Sequence, residues 1–165
     1  TAGFHVILRP HPQSFVSDKA VIGEVLKAID GNDAIELDRN PDGFVSLSRA
    51  SAMVSDISGV IFDYAFVFLR PVVAVGPGPV KEGFEAWEIP HPAWEQEILP
   101  KIGERVLEAD EATLLAALRR VMNAKDALKE RIRSIRDAHI IHFGCAADPI
   151  AQALIEEETR EAHRD

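Results

Sequence analysis

The sequence predicts an α/β fold built on an open, doubly wound parallel sheet with helices on both faces. Short β-branched runs alternate with segments whose apolar residues recur at helical spacing, and polar residues and glycines cluster directly after the predicted strands. Strands separated by helices pair in parallel through right-handed crossovers. The chain has 165 residues, of which 47% are hydrophobic and 27% charged, so one globular domain is expected.

The first elements follow from apolar spacing. The run "FHVILR" (4–9) is rich in strand formers and ends at a proline, which predicts a strand. Apolar residues over 21–29 then recur at the spacing of a helix. "AIEL" (34–37) predicts a second strand, "SLSRAS" a short helix opened by Ser46, and "AMVSD" a third strand.

The second half continues the alternation. "GVIFDYAFVFL" predicts an apolar helix beginning near Val60, and "PVVAVG" predicts the fourth strand. Five prolines in the stretch 76–102 predict irregular structure that is more mobile than the sheet. The remaining predictions are a last strand at "ERVLEA", a helix marked by Leu114 to Met122, and two closing helices around 125–141 and 148–163.

Charge and composition exclude several classes of partner. The formal net charge of −9 argues against a nucleic-acid backbone or an anionic membrane surface as the main partner, since both select for a basic face.

Cys145 is the single cysteine, so no internal disulfide is possible and a cytoplasmic location is expected. No apolar run approaches the roughly 18 to 20 residues of a membrane span. The start "TAGFHV" lacks the charged and apolar regions of a signal peptide. Because it also lacks Met, an excised domain is expected.

The segment "SDISGVIFD" (55–63) has the clearest chemistry. In an open parallel sheet, ligands bind beyond the carboxyl ends of the strands. Ser58 and Gly59 stand there, where the third strand turns into the helix starting near Val60. A helix N-terminus presents unpaired N–H groups and a partial positive charge, so phosphate is the expected ligand. The alternative is that Ser58 merely caps the helix.

The segment "ILRPHPQ" (7–13) follows the first predicted strand. Pro10 and Pro12 fix the loop that holds His11, so that His11 is a candidate donor to a phosphate or to a leaving group. Arg9 either contacts phosphate or buttresses the loop. The alternative is a surface histidine between turn prolines. We expect His11, Ser58 and Gly59 to converge on one pocket at the carboxyl edge of the sheet.

Together, "LRPHP" and "AMVSDISGVIFDYAFVFLRPVVAV" resemble the C-terminal, nucleotide-binding half of the CDP-glycerol glycerophosphotransferases, the teichoic-acid polymerase family with a GT-B fold. The match covers roughly 4–122, and the closing "FGCAADPIAQALI" is similar to the family's "DGKASERI".

The resemblance implies a Rossmann-like domain with a site for a CDP- or UDP-activated donor of glycerol phosphate or a sugar. His11 is the catalytic candidate. It would contact the donor phosphates or assist departure of the nucleotide. The diphosphate would bind at Ser58, Gly59 and Val60, with Arg9 nearby. Two acids are further candidates: Asp56, and Asp63, which matches the motif's final acid and alternatively only stabilises the first helical turn.

The sequence also departs from the family pattern. Gly59 replaces its second serine and Ile57 its tyrosine, and the "W-H-G-T" motif that supplies the family's catalytic base is absent. The chain is therefore expected to be part of a longer two-domain enzyme that builds a cell-envelope polymer. The rest of that enzyme would place it at the inner membrane as a peripheral protein. Alone, these 165 residues are expected to be inactive. The alternatives are a non-catalytic sugar-nucleotide or phosphate-binding module and an epimerase-like relative.

Two further motifs carry weaker signals, and no cofactor or metal is expected. "HIIH" (139–142) puts two histidines three residues apart on a predicted helix, but without a third ligand nearby a packed or surface pair is favoured over zinc. "EIPHPAWEQ" (88–96) contains His91 and Trp94 and directly follows Trp87. It is either a lid that stacks a nucleobase or a hydrophobic plug on the sheet edge.

Overall fold

A computed structural model describes residues 3–77, 93–108 and 110–162. For residues 161 and 162 only the backbone is described. Strands and helices alternate through most of these residues, with two helices, Ser14–Ser17 and Trp94–Ile102, that the sequence did not predict. In chain order the elements are β1 (Val6–Leu8), α1 (Ser14–Ser17), α2 (Lys19–Ile29), β2 (Ile35–Leu37), α3 (Phe44–Arg49), β3 (Met53–Asp56), α4 (Val60–Phe68), β4 (Val72–Val75), α5 (Trp94–Ile102), β5 (Gly103–Val106), α6 (Glu111–Asn123), α7 (Lys125–His139) and α8 (Ala147–Ala162).

The strands pair in parallel, which confirms the α/β class. In the described residues they form two small sheets, β1-β2 and β3-β4-β5. Leu8 faces Leu37 in the first sheet, and Val72 lies between Met53 and Gly103 in the second. β1 and β2 are each three residues long, so few hydrogen bonds hold the first sheet together. No pairing joins it to the second sheet in the described residues. A single doubly wound sheet therefore stays a prediction.

The hydrophobic core belongs to the second sheet and its helices. α4, α5 and α6 contact this sheet, and α7 packs against all three helices. Every buried hydrophobic side chain of the described residues lies between Ile61 and Ile132, with Tyr64 the largest. Over the described residues 3–59, the one buried side chain is that of Ser46. The first sheet is thus held mainly by its own pairing and by polar contacts.

Helix α3 begins earlier than predicted. It starts at Phe44, with Gly43 in the N-cap position, so Ser46 lies inside the helix instead of opening it. The Asp42 carboxylate accepts a 2.8 Å hydrogen bond from the Phe44 amide and so satisfies the first turn. The Ser46 hydroxyl is directed to Asp38 instead.

The prediction of irregular structure throughout 76–102 is wrong for its last part, because α5 is a helix that contains Pro100. Ile98, Leu99 and Ile102 of this helix are buried, and their burial stabilises it despite the proline. Residues 78–92, where the other part of that prediction falls, lie outside the described residues.

The two histidines of "HIIH" do not share a helix, contrary to the prediction. α7 ends at His139, and Ile140 is already in an extended conformation. His142 has a positive φ of 54°, which a helix does not allow. Within the described ranges, no helix has both the length and the apolar character required to cross a membrane.

Candidate functional site

The turn between β3 and α4 leaves the start of a helix open. Gly59 occupies the N-cap position, and no side chain accepts a hydrogen bond there. The amides of Gly59 and Val60 find no acceptor in the part of the chain that the structure describes. Beyond the residue itself and its chain neighbours, a Cβ atom at Gly59 would meet no heavy atom of the described residues within 4 Å. These donors are available to an anion.

Ser58 stands beside this turn without capping it. Its carbonyl oxygen accepts a 3.2 Å hydrogen bond from the Ile61 amide, but its hydroxyl has no partner among the described residues. The capping role that competed with ligand binding is therefore not observed. A free hydroxyl next to free amides adds one more donor for an anion.

Two carboxylates lie close in sequence to the turn. Asp56 ends β3 and accepts a 3.1 Å hydrogen bond from the Ser55 hydroxyl. Asp63 is exposed in the first turn of α4, where its charge stabilises the helix. Both carboxylates reduce the positive potential of the helix end, so an anion at this turn would need a cation from elsewhere.

Arg9 is engaged within the protein. Its guanidinium Nη1 lies 2.5 Å from Oδ2 of Asp38, and Nη2 donates a 3.2 Å hydrogen bond to the carbonyl oxygen of Pro41. The Arg9 side chain also lies close to Gly43, where an added Cβ would be 3.2 Å from Nε. Arg9 thus joins the loop after β1 to the loop after β2, which is the buttressing alternative.

Asp38 is the centre of this polar network. Its carboxylate accepts hydrogen bonds from the Ser46 hydroxyl and, at 2.8 Å, from the Asn40 amide. These two bonds, followed by the hydrogen bond and charge of Arg9, outweigh desolvation and lower the pKa of Asp38 from 3.8 to about 2. Asp38 is therefore ionised at neutral pH and neutralises Arg9.

His11 is exposed at the tip of the loop between the two prolines. Its Nδ1 accepts a 3.2 Å hydrogen bond from the Gln13 amide, so Nε2 carries the proton of the neutral ring and is free to donate it. Among the described residues, no hydrogen bond, ion pair or ring contact joins the 9–13 segment to the 57–60 turn. Convergence of His11 with Ser58 and Gly59 stays a prediction.

A cavity of about 260 Å³ lies between the loops that follow β1 and β2. Its polar wall includes Arg39, whose guanidinium carbon lies 5.0 Å from the centre of the Phe15 ring. The sequence predicts polar residues directly after each strand, and Arg39 is one of them, but its contact with Phe15 was not predicted. The signal that could have indicated the pair is that Arg39 and the short helix α1, which carries Phe15, both follow neighbouring parallel strands. The full lining is Arg9, Pro10, Pro12, Phe15, Asp38, Arg39 and Asn40.

Trp94 packs against helix α4 and stays partly exposed, so neither the lid nor the plug on the sheet edge is established. Its ring centre lies 5.3 Å from that of Phe62 and 6.1 Å from that of Phe66, both on α4. Its indole N–H donates a 3.3 Å hydrogen bond to Nδ1 of His139. Within the described residues, no group of three His, Cys, Asp or Glu side chains is arranged to hold a metal ion. Trp87 and His91 lie outside those residues.

Comparisons of the chain with protein-family models, with curated proteins and with solved structures find no match. The function is therefore inferred from the chain's own motifs and geometry.

Proposed function

We propose that this chain is the donor-nucleotide-binding domain of a transferase that moves glycerol phosphate, or a sugar, from a CDP- or UDP-activated donor to a cell-envelope polymer. The proposal combines the resemblance of the "LRPHP" and "SDISGVIFD" motifs with the local structure at the second motif. In this proposal the two sheets belong to one doubly wound arrangement, and the protein acts in the cytoplasm at the inner face of the membrane.

The observation that carries the proposal is the uncapped start of α4. Among the described residues, the amides of Gly59 and Val60 and the hydroxyl of Ser58 have no partner, and no atom crowds the position above Gly59. Together they form a surface on which a diphosphate can bind. Gly59 matters because it has no side chain to keep the phosphate away from the backbone.

His11 is proposed as the hydrogen-bond donor that assists transfer at this site. Its exposed Nε2–H can donate to a phosphate oxygen or to the nucleotide as it leaves. Arg9 acts indirectly in this scheme, because its guanidinium is already bound to Asp38 and Pro41. Its part is to hold the loop that presents His11.

Binding without turnover is expected of these 165 residues. Transfer requires an acceptor held in line with the donor and a base that takes the acceptor's proton. The "W-H-G-T" motif that supplies this base in the resembling family is absent from the sequence. We propose that a second protein half provides the base and the acceptor site.

Calorimetric titration of CDP-glycerol into the wild-type chain and two variants tests the proposal. Gly59→Val should weaken binding strongly, because its side chain fills the space that the phosphate needs. Ser58→Ala should cost only about 0.5–1.5 kcal/mol, the value of one neutral hydrogen bond. Gly23→Val is the matched control, because a Cβ at Gly23 also meets no atom within 4 Å.

Two results would contradict the proposal. Binding that is equally tight in wild type and Gly59→Val would place the donor site elsewhere. Acceptor-dependent release of CMP by the 165-residue chain would show that it is a complete enzyme instead of a binding half.

A further inference from the structure

The cavity between the loops after β1 and β2 is preformed. The two strands pair in register, and the Asp38 amide continues the pairing with a 2.9 Å hydrogen bond to the Leu8 carbonyl oxygen. Pro10 and Pro12 fix one loop, and the Arg9–Asp38 ion pair joins it to the other. A cavity that is already ordered costs little conformational entropy when a ligand enters.

The charges of the cavity favour an anion. Arg9 and Asp38 neutralise one another, whereas Arg39 has no carboxylate partner in the part of the chain that the structure describes. The cavity therefore carries one net positive charge on a protein whose formal net charge is −9. An unpaired guanidinium attracts anions locally despite the overall negative charge.

The stacking of Arg39 on Phe15 orients the guanidinium. At 5.0 Å from the ring centre, the cation is held over the aromatic face, which leaves the N–H groups at the guanidinium edge free to donate. Two parallel N–H donors match two oxygens of a phosphate or carboxylate group. The Asn40 side chain uses its oxygen on the Asp42 amide, so its NH₂ group is a further donor.

The volume limits the size of the ligand. At about 260 Å³ the cavity is smaller than the roughly 300–1,000 Å³ of sites that bind drug-sized ligands. One phosphate group on a short polyol fits inside it, whereas a whole nucleotide diphosphate would extend beyond it into solvent. The proline and Phe15 surfaces then contact the carbon chain.

We propose that this cavity is a binding site for a small organic phosphate, with Arg39 as the residue that binds the phosphate group. The site is distinct from the 58–60 turn, because its lining residues all lie between Arg9 and Asn40. It shares with the proposed donor site only the loop that presents His11. It can exist whether or not a nucleotide binds at α4.

Titration of glycerol 3-phosphate, followed by amide NMR shifts and calorimetry, tests the site. In wild type, the amides of 9–15 and 38–40 should shift. Arg39→Gln should weaken binding about tenfold or more, as expected for loss of a charge-assisted bidentate contact. Arg119→Gln is the matched control, because Arg119 is also exposed and unpaired in the described residues but lies on α6.

The possible outcomes separate the two proposals. Loss of binding in Arg39→Gln, with unchanged binding in Arg119→Gln and Gly59→Val, supports the cavity. Equal losses in the two arginine variants would indicate general charge attraction and overturn it. Unshifted amides in 9–15 and 38–40 would also overturn it, without bearing on CDP-glycerol binding at Gly59.

Discussion

The hydroxyl of Tyr64 donates a 2.8 Å hydrogen bond to the carbonyl oxygen of Ala50. Tyr64 lies in the core of the second sheet, fully removed from solvent, and Ala50 directly follows α3. The Arg70 guanidinium donates to the same carbonyl oxygen and, at 2.6 Å, to that of Ser48. These bonds connect the first part of the chain to the core.

Tyr64→Phe tests this connection. The variant loses one hydrogen bond, but Arg70 still satisfies the Ala50 carbonyl oxygen. The expected loss of unfolding free energy is therefore only about 0.5–1.5 kcal/mol, measured by urea denaturation at neutral pH. Unchanged stability would mean that the hydroxyl contributes nothing to the contact.

The same side chain predicts how stability changes at high pH. Burial raises the pKa of Tyr64 from 10.0 to about 12, against the weaker opposing effect of Arg70. Because the unfolded chain loses this proton at lower pH than the folded chain, stability should be complete below pH 10 and fall as the pH rises toward 12. Tyr64→Phe should lack this part of the fall, and parallel curves for the two proteins would contradict the prediction.

Ser46→Ala should raise the pKa of Asp38. The Ser46 hydroxyl is the largest cause of the lowered value of about 2, so its removal should move the pKa back toward 3.8. The stabilisation from ionised Asp38 is present above pH 3.8 and is lost as the pH falls toward 2, so the variant should lose it at higher pH. NMR titration of the carboxyl carbon measures the shift. Ser48→Ala, which removes a hydroxyl bonded to the Val45 carbonyl oxygen, should leave the pKa unchanged.

Gly103→Ala should destabilise the second sheet strongly. A Cβ at this position would lie 1.8 Å from the carbonyl oxygen of Val72, its partner in the neighbouring strand. Since the contact is to backbone, β4 and β5 would have to separate, and we expect a loss of about 3 kcal/mol in thermal or urea unfolding. Gly23→Ala in α2, where a Cβ meets no atom within 4 Å, should be neutral or stabilise by about 0.4–1 kcal/mol.

Trp94→Ala should weaken the packing of α5 against α4. The substitution removes the ring contacts with Phe62 and Phe66 and the hydrogen bond to His139. Because Trp94 is 36% exposed, the expected loss of about 2 kcal/mol is below the roughly 3–5 kcal/mol of a fully buried tryptophan. Val67→Ala, which truncates an exposed residue of α4, should change the unfolding free energy by less than about 0.5 kcal/mol.

The elements that the sequence predicted best are those with a strong apolar period. β4 and α4 are buried or apolar along most of their length, so the run of hydrophobic residues marks them clearly. α5 was missed because Pro100 and the prolines before the helix indicated a loop, while the burial of Ile98 and Leu99 depends on residues far away in sequence. The start of α3 was misplaced because the Asp42 carboxylate, two residues before Phe44, satisfies the first turn.

The candidate site was only partly predictable for a similar reason. The position of Gly59 at the start of a helix follows from local sequence and is confirmed. The partner of Arg9 does not follow from local sequence, because Asp38 is 29 residues away and is brought there by the pairing of Leu8 with Leu37. Whether an arginine meets a ligand or a carboxylate depends on such tertiary pairing.

The uneven distribution of buried side chains has a consequence for local opening. The three-residue strands β1 and β2 lie within residues 3–59, where Ser46 has the one buried side chain among the described residues. β4, in contrast, lies within the core. Amide hydrogens of β1 and β2 should therefore exchange with solvent deuterium through opening events that leave β4 closed. The cavity beside Arg39 is built on these less protected strands, so a phosphate bound there should slow their exchange much more than that of the core.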